Sequence, residues 1–564
     1  MKRVVIVGGV AGGASCAARL RRLDEMAKIT MIERGPYVSF ANCGLPYQLG
    51  GVIEERDKLL LHTPKTLWDR FRIKALTENT VTAIDRVSKS VEVRDNLKQE
   101  SFTLSYDFLV LSPGASPVIL NIPGNNLPGI FTLRTIEDLD NIKKFIERNR
   151  VKTALIVGAG FVGIEVAENF VHLGIETTIL EKTSQLMPLL DIEISRYLSN
   201  ELRANGVKLL LNAGAFKVEQ LEKQKKKIHL DTGSFVETDL IIFGVGVRPE
   251  LDLAKSSGLE IGKLGGIKVD NQMRTSDPNI FAIGDAVEIT DNITKSPTKV
   301  QLAGPANRQG RLVADVICGR SSVYPGGLGT SILRAFGLTV ASVGLTEKRA
   351  KQLNIDHRVA QVVSSDHAIY YPDVKQLMIK AIFSPDGKVL GAQAVGTGGV
   401  DKRIDVLATA IFSRLTVMDL QYLDLAYAPI FSSAKDPVNH LATLATAILD
   451  GSHPTISITE FEKEVMINKD IQLIDVRNKE EFQDGSIANA ISIPVNEIRE
   501  RMLEISQEKP VIVFCRVGVR AFLATRILMQ NGYSVRNLMG GYSLYRAKFL
   551  PIVEEFNGKT FIIP

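Results

Sequence analysis

The chain has 564 residues, of which 45% are hydrophobic and 23% are charged, and its formal net charge is +5. A chain of this length is too long to fold around a single hydrophobic core, so we expect three or four domains of roughly 100–200 residues each. No apolar run reaches the roughly 18–20 residues that cross a bilayer, and the start of the chain has no signal-peptide pattern, so we expect a cytoplasmic protein without a membrane span. The mild charge and the lack of a basic run argue against nucleic-acid binding.

The first predicted element is a buried strand at residues 4–7, followed by a glycine turn and a helix start; the glycines of this turn are Gly8, Gly9, Gly12 and Gly13. Glycines let the backbone approach a pyrophosphate, and a helix N-terminus offers free N–H donors. Glu33 follows the next strand, where it is placed to bind a ribose. Val10 stands where the GxGxxG pattern has its second glycine. Taken by itself, this first motif could therefore also be a structural turn that binds no ligand.

A second strand, residues 153–157, leads into the complete GxGxxG motif formed by Gly158, Gly160 and Gly163. Its acidic partner is Glu181, at the end of the following strand. A carboxylate at this position favours a free ribose 2′-hydroxyl and repels a 2′-phosphate, so we expect NADH to be preferred. Lys182 beside it would soften that preference, which leaves NADPH as an alternative.

With these motifs, the segments 111–115, 244–249 and 280–286 resemble the flavoprotein disulfide reductases that contain two dinucleotide-binding folds. The resemblance covers roughly residues 1–450. It implies an α/β fold with two Rossmann-like domains, an FAD-binding domain at residues 1–150 and 266–325 and an NAD(P)H-binding domain at 151–265, followed by an α/β dimerisation domain at 326–450 and a homodimer. Beyond the glycines of the first loop, the implied FAD contacts are Glu33, Arg34, Ala115, Gly284, Asp285 and Ala303.

The four cysteines are Cys16, Cys43, Cys318 and Cys515, and their spacing excludes a disulfide framework and a zinc finger; we expect no metal. Cys43 lies where the family presents its redox sulfur to the flavin. Gln48 stands where glutathione reductase-like members have a second cysteine, so oxidised Cys43 must be a mixed disulfide, a persulfide or a sulfenic acid. A glycine turn and a predicted helix start should lower its pKa. A buried structural cysteine is the alternative, and it fits Cys16 and Cys318.

The segment around Cys43 closely resembles that of the coenzyme A-disulfide reductases. Single-cysteine relatives that reduce peroxide or oxygen carry a histidine where this chain has Ala11, which argues for a sulfur substrate. The resemblance implies coenzyme A, as substrate or bound ligand, in contact with Ser15, Arg19, Arg22, Ser39, Asn42, Arg72, Asn307 and Lys435. For any single arginine, a solvated helix face is the alternative.

Three tyrosines complete this resemblance. It implies that Tyr427, together with either Tyr370 or Tyr371, reaches the sulfur site of the partner subunit in a homodimer. Packing in a core or an interface is the alternative for each of them.

After residues 451–454 the pattern changes, and a further α/β unit at residues 455–564 resembles a rhodanese domain. A strand ends in Cys515, and the loop continues through Arg516, Val517, Gly518, Val519 and Arg520 into a helix. Backbone N–H groups curled under the sulfur, with Arg520 nearby, should stabilise a thiolate and then a persulfide. The loop has six residues, whereas related phosphatases need seven, so sulfane sulfur is favoured over phosphate.

These features predict an FAD-dependent NAD(P)H persulfide or polysulfide reductase that uses Cys43, with Cys515 as its sulfur donor. The substrates would be small-molecule persulfides, polysulfides or coenzyme A disulfide. Coenzyme A-disulfide reduction alone is the second hypothesis, and a non-redox sulfur carrier with a flavin sensor is the third. Sulfur transfer within one chain or between subunits remains open.

Overall fold

The computed structural model describes residues 1–222, 225–468, 470–549, 552–556 and 559–563. They form two compact units, one of residues 1–184 and 202–329 and the other of residues 185–201 and 330–564. None of the described helices combines the length and the apolar character that a membrane span requires.

The part of the chain that precedes residue 330 contains both strands and helices. The strands are β1 (Arg3–Val7), β2 (Lys28–Ile32), β3 (Ile73–Leu76), β4 (Asn79–Asp85), β5 (Ser90–Asp95), β6 (Ser101–Ser105), β7 (Phe108–Leu111), β8 (Ala115–Pro117), β9 (Ile130–Phe131), β10 (Thr153–Val157), β11 (Glu176–Leu180), β12 (Lys208–Leu210), β13 (Ala215–Gln220), β14 (Lys226–Leu230), β15 (Phe235–Thr238), β16 (Leu240–Phe243), β17 (Val247–Pro249), β18 (Ile267–Lys268), β19 (Ile280–Ala282), β20 (Val287–Thr290) and β21 (Pro297–Thr298). The helices are α1 (Ala11–Leu23), α2 (Leu45–Leu49), α3 (Pro64–Phe71), α4 (Ile136–Asn149), α5 (Phe161–His172), α6 (Ile192–Ala204), α7 (Asp252–Ser256) and α8 (Ala303–Ile317).

The part of the chain that follows residue 330 also contains both kinds of element. The strands are β22 (Ser331–Ala335), β23 (Leu338–Gly344), β24 (Arg358–Ser365), β25 (Gln376–Phe383), β26 (Val389–Gly396), β27 (Thr455–Ile456), β28 (Gln472–Asp475), β29 (Ile491–Ser492), β30 (Val511–Phe514), β31 (Val535–Leu538), β32 (Ile552–Phe556) and β33 (Lys559–Ile563). The helices are α9 (Glu347–Gln352), α10 (Val400–Phe412), α11 (Val417–Leu420), α12 (Pro437–Leu449), α13 (Ile458–Ile467), α14 (Lys479–Gln483), α15 (Ile498–Arg501), α16 (Val519–Gln530) and α17 (Gly541–Phe549).

The first dinucleotide fold is a parallel sheet in the order β19-β7-β1-β2-β3. Val4 to Ile6 are almost fully buried, as expected for a parallel strand covered on both faces. The turn after β1 depends on Gly8, which has φ +95°, and a Cβ there would lie 2.0 Å from the carbonyl oxygen of Ser112. Close packing of α1 on α8 similarly depends on Gly310, where a Cβ would lie 2.3 Å from the oxygen of Gly12.

The second dinucleotide fold repeats this arrangement with the parallel order β12-β11-β10-β16-β9. Gly158 begins the turn after β10 with φ +106°. Both folds therefore bring a glycine turn and the acidic residue that ends the neighbouring strand to the carboxyl edge of a parallel sheet. Ligands bind at this edge in open α/β sheets.

The second unit contains an antiparallel sheet, ordered β22-β23-β26-β25-β24, and a parallel sheet, ordered β27-β31-β30-β28-β29. Helices α10 and α12 pack on the antiparallel sheet. Strand β30 is central in the parallel sheet and ends just before Cys515. The architecture is thus α/β in all four folds.

Residues 185–201 fall within the predicted nicotinamide domain, yet they belong to the second unit. The reason is a buried charge cluster. The ammonium of Lys380, 1% exposed, forms ion pairs with Asp191, Glu193 and Glu347. Against the effect of burial, its positive charge lowers the pKa of Glu347 on α9 to about 2. The ion pairs with Asp191 and Glu193 hold the start of α6 on β25. The four predicted domain ranges remain a prediction at this level of detail.

Candidate functional site

Cys43 lies in the 3₁₀ turn Asn42–Gly44, directly before α2. Its side chain is exposed, and Sγ lies 3.7 Å from Oδ1 of Asn42. Although the residue reaches solvent, partial burial among its neighbours raises the pKa of the thiol, and the negative charge of Glu165 raises it further, whereas Arg134 opposes both. The prediction of a lowered pKa is wrong, because a three-residue turn and the short helix α2 offer little dipole against this burial.

Glu165 was not predicted as a site residue. It lies on α5, two residues after Gly163 of the GxGxxG motif, and its Oε1 accepts a hydrogen bond from the Tyr47 hydroxyl at 3.2 Å. Burial raises the pKa of Glu165 to about 7. The signal in the sequence is a glutamate within the otherwise apolar start of this helix. A carboxyl group that titrates near neutral pH is suited to exchange protons beside Cys43.

Asp285, predicted as a flavin contact, lies in the turn Gly284–Ala286. Its Oδ2 accepts a hydrogen bond from Arg134 at 2.8 Å, and Gly284 N donates to Gln309 Oε1 at 2.7 Å. Arg134 was also not predicted, since no motif surrounds it. It supplies the positive charge that partly offsets the carboxylates near Cys43.

The two glutamates that were predicted to bind a ribose occupy equivalent positions. Glu33 accepts hydrogen bonds from Gly9 N at 2.9 Å and Gly35 N at 3.1 Å, and Glu181 accepts them from Ala159 N at 2.9 Å and Thr183 N at 2.8 Å. A Cβ added at Gly160 would meet none of the described atoms within 4 Å, so space is open above that loop. Both turns therefore fit a dinucleotide. The remaining predicted contacts belong to the same unit: Arg34 pairs with Glu250, Ala115 is buried in β8, and Ala303 begins α8.

The predicted coenzyme A contacts of the first unit lie mainly along α1 and its neighbours. Ser15 donates to Oδ1 of Asn307 at 2.6 Å. Arg19 forms an ion pair with Asp315 at 2.7 Å, so the carboxylate of Asp315 already compensates part of its positive charge. The other members are Arg22 over the Phe71 ring, Arg72 over the Trp68 ring, the buried Ser39 and Asn42 beside Cys43.

The second unit contains Lys435, which is exposed, and the three tyrosines. The hydroxyl groups of Tyr370 and Tyr427 lie 3.0 Å apart on side chains that are 73% and 48% exposed. Tyr371 instead packs edge-on against His367, with ring centroids 5.8 Å apart. This arrangement favours Tyr370 over Tyr371 as the companion of Tyr427.

The Cys515 loop curls beneath its sulfur, as predicted. Gly518, with φ +109°, donates its N–H to Sγ at 3.1 Å. Arg520 forms two hydrogen bonds with the Glu481 carboxylate at 2.5 and 2.8 Å. That carboxylate and, after it, the nearby Cys515 sulfur raise the pKa of Arg520. Arg516 and Val519 are exposed, and Val517 and Gly518, which lie between them in the chain, are partly exposed. Glu481, which orients Arg520, is a further residue that the sequence did not single out.

Comparison with known proteins identifies the families to which these folds are similar. The profile of the pyridine nucleotide-disulphide oxidoreductases matches residues 2–310, that of their dimerisation domain matches 333–437, and that of the rhodanese-like domain matches 457–548. Coenzyme A disulfide reductase from Staphylococcus aureus (strain bovine RF122 / ET3-1) is 37% identical over 441 residues, which are 78% of this chain and 98% of that protein.

Two solved structures resemble nearly the whole chain. Reduced CoADR-RHD from Bacillus anthracis has a TM-score of 0.94 and 44% identity, covering 97% of this chain and 98% of that one. The NAD-dependent persulfide reductase from A. fulgidus has a TM-score of 0.91 and 37% identity, covering 96% and 100%. The predicted α/β class, with two dinucleotide folds, a dimerisation domain and a C-terminal rhodanese domain, is confirmed. The chain belongs to the pyridine nucleotide-disulphide oxidoreductase family, as a flavoprotein oxidoreductase that carries a rhodanese sulfurtransferase domain.

Proposed function

We propose that this protein is an NADH-dependent reductase of small-molecule persulfides and polysulfides, including coenzyme A persulfide, that acts through Cys43. One observation carries the proposal: a redox cysteine without a second cysteine five positions away shares a chain with the complete sulfur loop of Cys515. The relatives support it, since one is named a persulfide reductase. Coenzyme A-disulfide reduction is the second candidate, supported by the names of the curated relatives.

The reaction at Cys43 balances with NADH as the reductant. The Cys43 thiolate attacks the carbon-bound sulfur of a persulfide, the sulfur–sulfur bond breaks, and sulfide leaves. Two electrons from NADH then cleave the mixed disulfide, which regenerates the thiolate and releases the small thiol with one proton. FAD, when bound, supplies the chemistry that accepts hydride from NADH and passes electrons to sulfur.

The proposed contacts follow the geometry. Those for FAD are Gly8, Gly9, Gly12, Gly13, Glu33, Arg34, Ala115, Gly284, Asp285 and Ala303, and those for NADH are Gly158, Gly160, Gly163 and Glu181. Those for coenzyme A are Ser15, Arg19, Arg22, Ser39, Asn42, Arg72, Asn307 and Lys435. We also propose a homodimer in which the Tyr370–Tyr427 pair reaches the partner's sulfur site, and a cytoplasmic location.

Cys515 would supply the sulfur. Its thiolate attacks the sulfane sulfur of thiosulfate, sulfite leaves, and a Cys515 persulfide forms. The Gly518 N–H and the Arg520 guanidinium stabilise the charge on sulfur. A small thiol such as coenzyme A then accepts this sulfur and becomes the substrate of Cys43, at the high local concentration that a shared chain provides.

The first prediction separates the two sulfur sites. Cys43→Ser should abolish NADH oxidation with coenzyme A persulfide and with coenzyme A disulfide, while FAD stays bound and reducible by NADH. Cys515→Ser should abolish only thiosulfate sulfurtransferase activity and sulfide release from thiosulfate. Measuring NADH oxidation and sulfide release with each donor tests this. Turnover of both substrates by Cys43→Ser would refute the proposal, and failure of the wild type to oxidise NADH with either would favour the non-redox carrier.

The second prediction concerns Glu165. Because its charge disfavours the Cys43 thiolate, Glu165→Gln should lower the pKa of Cys43 in the reduced, flavin-loaded protein. Above pH 7, where Glu165 is largely ionised, Cys43 alkylation by iodoacetamide should become faster in the variant than in wild type. Peptide mass spectrometry across pH 6–9 gives the rates. Glu260→Gln, which removes an exposed carboxylate paired with Lys268, is the control. Identical pH profiles for wild type and Glu165→Gln would rule out this influence.

The third prediction concerns the choice of nucleotide. Glu181 should hydrogen-bond the ribose of NADH and repel a 2′-phosphate, so wild type should have a lower KM for NADH than for NADPH. Glu181→Ala should reduce the difference between the two KM values, as steady-state kinetics with both nucleotides would reveal. A wild-type preference for NADPH would contradict the assignment and would point to Lys182.

A further inference from the structure

The segment that joins the dimerisation and rhodanese folds is firmly attached to both. His453 N donates to the oxygen of Ala447 in α12 at 2.9 Å, and Asn537 N donates to the oxygen of Pro454 at 3.0 Å. The guanidinium of Arg526 on α16 donates to the oxygen of Ser452. The His453 side chain is 1% exposed. This linker histidine is therefore part of the packed interior of the second unit.

The His453 ring contacts two residues of the rhodanese fold. Its Nε2 lies 3.2 Å from Nδ2 of Asn537 on β31, and its ring packs edge-on against Phe522 on α16, with centroids 4.4 Å apart. An amide nitrogen can only donate, so Nε2 is the acceptor and Nδ1 carries the proton. Burial and the nearby charge of Arg526 lower the pKa of His453 to about 4, which keeps the ring in this neutral form.

The two residues that the His453 ring contacts, Asn537 and Phe522, both donate hydrogen bonds to the same carbonyl oxygen of the sulfur loop. Asn537 Nδ2 donates to the oxygen of Gly518 at 3.2 Å, and Phe522 N donates to that oxygen at 2.8 Å. The N–H of Gly518 is the donor to Cys515 Sγ. Glycine tolerates many backbone orientations, so this N–H points at the sulfur only if its surroundings hold the residue in place.

The cost of the arrangement argues against simple packing. Among the described residues, Nδ1 of His453 and Oδ1 of Asn537 are buried without a hydrogen-bond partner. Leaving such atoms unpaired is unfavourable, and a pair of apolar side chains would fill the space without that penalty. A polar pair retained at this cost is better explained by what it does to the loop than by its contribution to stability.

We propose that His453 and Asn537 are positioning residues for sulfur transfer at Cys515: together with Phe522 they fix the Gly518 carbonyl and so direct the Gly518 N–H at the sulfur. The linker between the two folds thereby becomes part of the sulfur site. This inference rests on the sulfur-transfer role proposed for Cys515.

The test uses the full-length, flavin-loaded protein and three variants. His453→Phe keeps a ring against Phe522 but removes the acceptor, Asn537→Leu removes the donor, and His453→Gln offers a side-chain oxygen that can accept from Asn537. His357→Phe, which replaces a histidine whose Nδ1 bonds the nearby oxygen of Ile355, is the matched control. The readouts are kcat and KM for thiosulfate with cyanide as acceptor, the pH profile of Cys515 alkylation, and NADH-dependent reduction at Cys43 as a check on folding.

For His453→Phe and Asn537→Leu we expect kcat to fall about tenfold, the scale of one lost hydrogen bond, with KM for thiosulfate little changed. Alkylation of Cys515 at neutral pH should slow, because its thiolate loses a directed donor. His453→Gln should restore most of kcat, and reduction at Cys43 should stay at the wild-type rate.

Two outcomes would overturn the inference. One is a wild-type kcat and alkylation profile in both His453→Phe and Asn537→Leu. The other is a parallel loss of sulfurtransferase activity, thermal stability and Cys43 turnover in all three variants, which would mark a purely structural role. Failure of the underlying function is distinguishable, since Cys515→Ser would then retain sulfurtransferase activity.

Discussion

The absence of a second cysteine beside Cys43 constrains the chemistry of the whole chain. Two neighbouring cysteines could hold the oxidised state as a disulfide within the protein, but a lone sulfur must bond an atom that arrives from outside, which in a mixed disulfide or a persulfide is another sulfur. The site therefore needs a way to seat a small sulfur donor, a source of electrons and a source of sulfur. In the proposed function, the dinucleotide folds supply the electrons and the rhodanese domain supplies the sulfur.

Three parallel sheets use the same physical device. Each ends a buried strand in a turn that presents backbone N–H groups, with a glycine of positive φ where the chain must fold closely: Gly8, Gly158 and Gly518. In the two dinucleotide folds the N–H groups suit phosphate, and in the rhodanese fold they suit a charged sulfur. The chemistry differs because the side chain at the turn differs, a glutamate reaching back in two cases and a cysteine with Arg520 in the third.

The motifs that could be predicted from the sequence are those in which residues close together in the chain form the site. The glycine loops, Glu33, Glu181 and the Cys515 loop all lie where they were expected, at the ends of parallel strands. Glu165, Arg134 and Glu481 act through partners far away in the chain, so no local pattern revealed them. The raised pKa of Cys43 was missed for the same reason, since it depends on burial and on charges from other elements.

The assignment of residues 185–201 shows the same limit. Their sequence follows a dinucleotide motif, but the buried pairing of Lys380 with three carboxylates ties them to the antiparallel sheet. Ion pairs between residues far apart in the chain produce no periodic pattern in the sequence, so they could not be predicted from it. The Tyr370–Tyr427 hydrogen bond is a further example, because only the folded chain distinguishes Tyr370 from its neighbour.

The central claim is that Cys43 alone carries the oxidised sulfur state, and an anaerobic NADH titration tests it most directly. The flavin-loaded protein is first incubated with coenzyme A disulfide and freed of excess. The account predicts uptake of about two equivalents of NADH per subunit, one to cleave the mixed disulfide and one to reduce the flavin, with release of about one coenzyme A thiol. Uptake of about one equivalent without release of thiol would contradict it.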